Sequence, residues 1–416
     1  MRATEAGTVA GSASRTTPVL RTLDDLDRRG LHNRRVLLRV DFNVPLDGAG
    51  QVADTSRIEA SLPTVRWLLD RGARLVIMSH LGRPKGREER FSLSPVARKL
   101  GELLGQPVAF VRDVAGPEAQ SAARALVPGH VLMVENLRFE PGETKNDPVF
   151  AERLSELGEY YVNDAFGTVH RAHASIVGVP SFIPGAAGFL LERELRALTA
   201  LRDHPERPYW AIIGGAKVKD KVGLLVRLAE VADGLVIGGG MANTFLAAQG
   251  HNLGASRVEA EALDTARDIL DRAEKAGIPV VLPQDVVAAT AFAADAPHRV
   301  AALDDLRPDE MALDVGPATV SAITRALAGA RTVFWNGPLG VFEFDAFAQG
   351  TMAVARMLAD LDATVVVGGG DSLAAVHKAG VVDRISHAST GGGASLEFLE
   401  GKVLPGVQAL MVPASE

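Results

Sequence analysis

The stretch ATVVVGGGDSLAA, Ala363–Ala375, constrains this chain more than any other. Its β-branched run Thr364–Val367 has the length and character of a strand buried on both faces. The run breaks into Gly368, Gly369 and Gly370, and Asp371 and Ser372 then open a segment of helical character. A strand that turns through glycines into a helix is a βα unit, and the unpaired N–H groups at such a helix start point toward an anion. Asp371 is placed to hold a divalent cation beside a phosphate, and Ser372 either to cap the helix or to bind a phosphate oxygen. Alone, the stretch reads equally well as an ordinary βα turn. The rest of the chain repeats it. From Val19 onward short apolar runs alternate with amphipathic segments, the pattern of an α/β protein with mainly parallel sheets. In such sheets ligands gather outside the carboxyl ends of the strands.

The chain has 416 residues, enough for two domains with cores of their own. No apolar run approaches the roughly 18 residues a membrane span needs. A net charge of −7 argues against bulk nucleic-acid binding while leaving room for a local basic cleft. The absence of cysteine excludes disulfides, thiolate catalysis and Cys-based zinc sites, and fits a cytoplasmic location. Met1–Thr17 is rich in Ala, Ser, Thr and Gly and lacks the apolar core of a secretory signal. It is expected to be a disordered extension, with an organelle transit peptide as the competing reading.

In the first half, each apolar run gives way to a polar cluster. Val36–Val40 contains Arg39 and leads into Asp41, Phe42 and Asn43; Arg57 precedes a helical segment. Leu75–Met78 leads into His80, Leu81, Gly82 and Arg83, and Val131–Val134 into Asn136 and Arg138. Tyr160–Val162 gives way to Asn163 and Asp164, followed by His170, Arg171 and His173. Any one of these is most simply a surface cation or a structural histidine. Together, Arg39, Arg57, Arg83, Arg138 and Arg171 converging on one crevice repel one another unless an anion lies among them, and guanidinium suits phosphate and carboxylate. The pattern predicts a pocket for a small, multiply charged acid.

Pro184, Gly185 and Gly188 punctuate the chain before a strong helical pattern at Phe189–Leu201, which places a domain boundary near Gly188. The charges of that helix, Glu192, Arg193, Glu194 and Arg196, read as a solvated face. Beyond it the strand ends offer glycine instead of arginine. Tyr209–Ile213 runs into Gly214, Gly215, Lys217, Lys219 and Lys221; Gly234–Ile237 runs into Gly238; Val280–Leu282 runs into Pro283 and Asp285. Thr332–Trp335 runs into Asn336 and, further on, Glu343, and STGGGAS, Ser389–Ser395, precedes another helix. Backbone amides for phosphates, a lysine for charge and one Asp for a metal describe a nucleotide site. Glu343 is a candidate acceptor for a ribose hydroxyl, or an exposed turn carboxylate. The chain has no G-x-x-x-x-G-K-[ST] loop, no protein-kinase signature and no G-x-G-x-x-G dinucleotide fingerprint.

The strings RVDFNVP (Arg39–Pro45), SHLGRP (Ser79–Pro84), ENLRF (Glu135–Phe139), NDAFGTVHRAH (Asn163–His173), GGAKVKDK (Gly214–Lys221), WNGPLGVFE (Trp335–Glu343), GGGDS (Gly368–Ser372) and STGGGASLEFLEGK (Ser389–Lys402) resemble, in this order, those of the phosphoglycerate kinases. The resemblance runs from Val19 to the C-terminus. It implies two similar-sized Rossmann-like lobes joined by the helix near Phe189: an extension at 1–17, an N-terminal lobe at 18–188, a C-terminal lobe at 189–403, and a segment at 404–416 that returns to the first lobe. It implies reversible phosphoryl transfer between 1,3-bisphosphoglycerate and MgADP in a cytoplasmic monomer, with small-molecule substrates and no membrane or nucleic-acid partner.

By the same resemblance Asp41, Phe42, Asn43, Arg57, His80, Leu81, Gly82, Arg83, Arg138 and Arg171 bind the glycerate substrate, with Arg39 and His170 supporting that face. Gly214, Gly215, Lys221, Gly238, Ala312, Asn336, Glu343, Gly369, Gly370, Asp371 and Ser372 bind the nucleotide, and Asp371 takes the magnesium. Arg57, Lys217, Lys221 and the amides of Gly392 and Gly393 flank the phosphoryl group in flight. Ala312 stands where the family commonly has glycine against the adenine, which puts nucleotide affinity in question; Lys219 is an added, solvated charge. Two alternatives are disfavoured: a non-catalytic nucleotide-binding protein on the same scaffold, because Arg57 and Lys221 are both present, and a phosphotransferase for a different carboxylic acid, because the full basic set is retained.

Overall fold

The computed structural model describes residues 18–413, so the extension expected at 1–17 lies outside the described residues. The strands are β1 Val19–Leu20, β2 Arg35–Val40, β3 Arg74–Met78, β4 Val108–Phe110, β5 Val131–Met133, β6 Tyr160–Asp164, β7 Gly185–Ala187, β8 Tyr209–Ile213, β9 Gly234–Ile237, β10 Val280–Val281, β11 Asp285–Ala289, β12 His298–Ala302, β13 Met311–Val315, β14 Thr332–Asn336, β15 Thr364–Gly368, β16 His387–Ser389 and β17 Met411–Val412. They form two six-stranded sheets, in the orders β4-β5-β3-β2-β6-β7 and β10-β9-β8-β14-β15-β16. Every pairing within these two sheets is parallel.

A parallel sheet with helices on both faces needs strands that are apolar throughout, because successive side chains point to opposite cores. β2 meets this need: Val36, Leu38 and Val40 enter one core cluster and Leu37 the other. Arg39 shares the face of Leu37, a guanidinium placed among apolar neighbours, and is 1% exposed. The chain order reverses between β2 and β6 in the first sheet and between β8 and β14 in the second. Those crevices are where such sheets receive ligands.

The helix Phe189–Asp203 runs between the two sheets. Its Leu191, Leu195, Leu198 and Leu201 join a core cluster that reaches from Leu37 of the first sheet to Ile213 of the second. Contrary to the sequence reading, its charges are not all solvated. Glu194 is fully buried, because the helix meets Thr390 and His387 of the second sheet's last turn on that side. The chain closes on itself at β1 and β17, which pair antiparallel with Val19 opposite Val412.

Several element edges differ from the sequence expectation. Asn163, Asp164 and Asn336 complete their strands instead of starting the turns, since each still pairs with a neighbouring strand. β10 ends at Val281, and Asp285 opens β11, the central strand of a three-stranded antiparallel sheet with β12 and β13. Among the described residues this small sheet has no counterpart in the first half, and the alternation of apolar runs with amphipathic segments does not predict it. Among the described residues, no helix is long and apolar enough to cross a membrane.

Candidate active site

At the carboxyl ends of β2, β3 and β6 lies a cavity of about 400 Å³ lined by Asp41, Asn43, Arg57, His80, Gly82, Arg83, Arg138, Gly167, Thr168, His170 and Arg171. Its remaining wall is Thr390, Gly391, Gly392 and Gly393, from the turn after β16 of the second sheet. The cavity therefore joins arginines from one half of the chain to backbone amides from the other.

Arg57 and Arg138 are held by their neighbours in the pocket wall. Asp41 Oδ2 accepts from Arg57 Nη1 at 2.5 Å, and Asn43 Oδ1 accepts from the Gly82 N–H at 2.8 Å. Arg138 Nη1 donates to the Gly82 carbonyl at 2.6 Å, while its buried Nε has no partner. Burial, together with Arg171 and Arg39, pulls the Arg138 pKa down to about 10. A guanidinium that is easier to deprotonate beside other cations marks a site short of negative charge, which a dianionic ligand supplies. Burial lowers His170 as well, with Arg171 adding to the effect. His80 falls well below its usual value through burial and the charges of Arg39, Arg138, Arg171 and Arg57.

Three residues expected in this pocket do not line it. Arg39 is turned into the core, where Nε donates to Ser175 Oγ at 2.9 Å and Nη2 to His80 Nδ1 at 3.2 Å. Phe42 is fully buried in the apolar cluster. Leu81 is buried with its N–H and carbonyl both bonded to the Asn136 side chain. They shape the pocket from behind. Gly167, Thr168, Thr390 and Gly391 line it and were not singled out, because nothing in their residue types carries charge.

A second cavity, of about 460 Å³, opens at the carboxyl ends of β8 and β14. Gly215, Gly239, Gly240, Pro338 and Gly340 form its floor, and Ala312, Leu313, Val286, Phe292 and Met311 an apolar wall from the antiparallel sheet. Glu343 and Asp371 lie on its margin. An apolar slot next to a run of glycines, with carboxylates at its margin, suits a nucleobase, a ribose and phosphates. Ala312 sits in the wall, as the resemblance implies, and Asn243 and Arg257 are added lining residues.

Lys221 marks the crevice between β8 and β14, donating to the carbonyls of Gly214 at 2.6 Å and Asn336 at 3.1 Å. Burial lowers its pKa to about 8, against the opposing charges of Asp371 and Asp220. Lys217 is half-buried in the same loop, outside both cavities. Glu259, buried, fixes that loop by accepting from the Val218 N–H at 2.5 Å. Gly238 is covered by Leu339, and Gly214 and Asn336 enter the site through their carbonyls.

The helix Gly370–Lys378 begins behind Gly369, whose φ of 95° only glycine adopts without strain. Ser372 neither caps this helix nor faces the cavity: its Oγ is buried and accepts from the Gly337 N–H at 2.5 Å. Asp371 is exposed at the helix start. Gly392 likewise takes φ 53° ahead of the helix Gly393–Leu399, whose start lines the first cavity.

Among the described residues no three acidic or imidazole side chains cluster in a way that holds a metal by themselves. A Mg²⁺ ion arriving with a nucleotide would need only one carboxylate beside the phosphate oxygens, a donor set that it accepts. Asp371 fits that requirement.

The sequence matches the family model described as phosphoglycerate kinase over residues 23–402. It is 57% identical over 390 residues to a phosphoglycerate kinase of Moorella thermoacetica, an alignment covering 94% of this chain and 98% of the relative. Against the phosphoglycerate kinase of Thermomicrobium roseum it is 52% identical, covering 95% of this chain and 100% of the relative. The solved structure of phosphoglycerate kinase from Coxiella burnetii superposes with a TM-score of 0.85 at 41% identity, covering 94% of this chain and 99% of that one. The structure from Pyrococcus horikoshii gives 0.83 at 35% identity, covering 94% and 98%.

Proposed function

The chain belongs to the phosphoglycerate kinase family and carries out its glycolytic reaction, and we propose that it does so by direct in-line transfer between two facing walls, without a general base. The acid substrate binds in the arginine-lined cavity and the nucleotide in the glycine-lined one. In the ATP-consuming direction the nucleophile is the carboxylate of 3-phosphoglycerate, ionised at neutral pH, so no proton has to be removed. Catalysis then rests on positioning and on stabilising charge in a loose phosphoryl transition state.

The observation that carries this reading is the mixed wall of the first cavity. Arg57 from one half of the chain and the Gly392 and Gly393 amides from the other line one space, where a phosphoryl group in flight needs them. Arg57 contributes charge on the acid side; Lys221, cationic at neutral pH, contributes it on the nucleotide side, with Lys217 joining on closure of the lobes. Closure also removes water that hydrolyses an acyl phosphate. Asp371 holds Mg²⁺, which neutralises phosphate charge when bound. The boundaries 18–188, 189–403 and 404–416 describe the two walls and the returning segment, and a monomer suffices because both walls belong to one chain.

ATP consumption with 3-phosphoglycerate and Mg²⁺, coupled to reduction of the 1,3-bisphosphoglycerate formed, tests the reading. Turnover that vanishes when either is omitted is expected. Turnover with another carboxylic acid in place of 3-phosphoglycerate, or MgADP binding with no turnover at all, overturns it.

A further inference from the structure

Behind the acid pocket runs a line of fully buried polar groups. Glu143, 0% exposed, accepts from the Ser175 N–H at 2.9 Å and from its hydroxyl at 2.5 Å. Ser175 Oγ, its one proton committed to Glu143, accepts from Arg39 Nε at 2.9 Å. Tyr161 pins the same serine by donating to its carbonyl at 2.7 Å. Arg39 then reaches His80 Nδ1 at 3.2 Å. Five separate segments of the chain meet here, and none of Glu143, Ser175 or Tyr161 lines the pocket.

A guanidinium has donors and no acceptor, so the ring nitrogen facing it must present a lone pair. His80 Nδ1 is therefore unprotonated, and the ring's one proton sits on Nε2, on the edge away from Arg39. The competing arrangement has a ready partner: Asp41 Oδ1 lies 3.9 Å from the same Nδ1 and favours a proton there. With Nδ1 protonated, Nε2 presents a lone pair to an anion and repels it. Arg39 favours the first tautomer; it is held by the Val40 carbonyl and by Ser175, through which Glu143 is its buried counter-charge.

We propose that Glu143 and Ser175 are positioning residues for the acid substrate: through Arg39 they hold His80 as a neutral donor whose Nε2–H faces the bound anion. This rests on the reading of the arginine-lined cavity as the 3-phosphoglycerate site. The arrangement gives the pocket a directed donor without adding a charge to a wall that already carries Arg57, Arg83, Arg138 and Arg171. His173 Nδ1 lies 3.9 Å from Glu143 Oε1, but burial and the neighbouring arginines lower its pKa to about 4, so it brings no counter-charge of its own.

Nitrogen NMR of the full-length enzyme labelled at histidine tests this before any mutation. The unliganded wild type is expected to show His80 with a pyridine-type Nδ1 and a pyrrole-type Nε2 across neutral pH. The reverse tautomer, or a protonated ring, overturns the proposal whatever the kinetics show. In Glu143→Gln and Ser175→Ala the two tautomers are expected to mix, and KM for 3-phosphoglycerate to rise roughly tenfold, the worth of one hydrogen bond to a charged group. KM for MgATP and kcat stay within about twofold. Ser175→Ala leaves both charges in place, so it reports even if Glu143→Gln fails to fold. Folded variants with an unchanged tautomer and unchanged KM overturn the proposal. A wild-type His80 signal with the expected tautomer that ignores added 3-phosphoglycerate overturns instead the assignment of the cavity, and with it the substrate-facing half of the proposal.

Discussion

Glu194 Oε2 lies 2.8 Å from His387 Nε2, and its other oxygen accepts the Thr390 N–H at 2.9 Å. This carboxylate on the connecting helix holds the strand end from which Gly392 and Gly393 project into the acid cavity. Burial alone raises its pKa, but the hydrogen bond and charge of His387 and the Thr390 N–H outweigh burial, and the net shift is downward. The connecting helix is thus bonded to the part of the second half that faces the substrate of the first.

Glu194→Ala leaves the His387 ring and the Thr390 N–H without their acceptor in a buried place. Stability is expected to fall by about 3 kcal/mol, the cost of stranding one side of a buried charged contact. Urea unfolding of the variant beside the wild type measures it, and a loss below about 1 kcal/mol contradicts a buried, engaged role.

Asp164 is fully buried, with Oδ1 accepting from the Leu190 and Leu191 N–H groups and Oδ2 unpartnered. Burial pushes its pKa up to about 6. An acid held more tightly by the folded state stabilises most below its unfolded value, near 3.9, and that contribution disappears as pH rises through about 6. The full effect is about 3 kcal/mol. Asp164→Asn keeps the acceptor for the helix start and removes the titration. Comparing unfolding free energies at the two ends of this window should show a smaller decline for the variant than for the wild type.

Arg57→Ala removes the cation nearest the transfer path on the acid side and frees Asp41 Oδ2. A fall in kcat of about a thousandfold is expected, in the range seen when charge stabilisation of phosphoryl transfer is lost. ADP affinity by calorimetry should stay within about twofold of wild type. A large loss of ADP binding contradicts the two-wall arrangement.

Asp371→Ala should weaken MgADP about tenfold or more while changing metal-free ADP little, because a carboxylate that ligates Mg²⁺ only repels bare phosphates. Calorimetric titrations with and without Mg²⁺ separate the two. Equal weakening of both removes the metal role from this residue.

Much of this architecture was legible because parallel βα units announce themselves: an apolar run, a polar or glycine-rich break, an amphipathic segment. The strand-end rule then gathers Arg57, Arg83, Arg138 and Arg171 from local pattern alone. It failed where a residue's type and its surroundings disagree. Arg39 follows the same rule and is buried, because its face of β2 points into the core and Ser175, far along the chain, supplies the acceptor. Glu194 looked solvated for the same reason, its partners being nearly two hundred residues away. The antiparallel strands β11 to β13 escaped because short alternating runs such as HRVAA carry little signal until their partners are known. Long-range pairing, not local pattern, decided each of these cases.

The pairing of Val19 with Val412 has a consequence for how the chain is made. During synthesis the N-terminal sheet emerges first and has its parallel strands β2 to β7 in hand early. Its neighbouring ribbon, however, waits for residues that follow the whole second sheet. Until then Val19 and Leu20 lack their partner strand, and the Gly406 N–H has yet to meet the Val169 carbonyl beneath the arginine pocket. The ribbon beside the first sheet is therefore closed by residues that follow the second, and a chain cut short before Thr390 would lack one wall of the acid cavity.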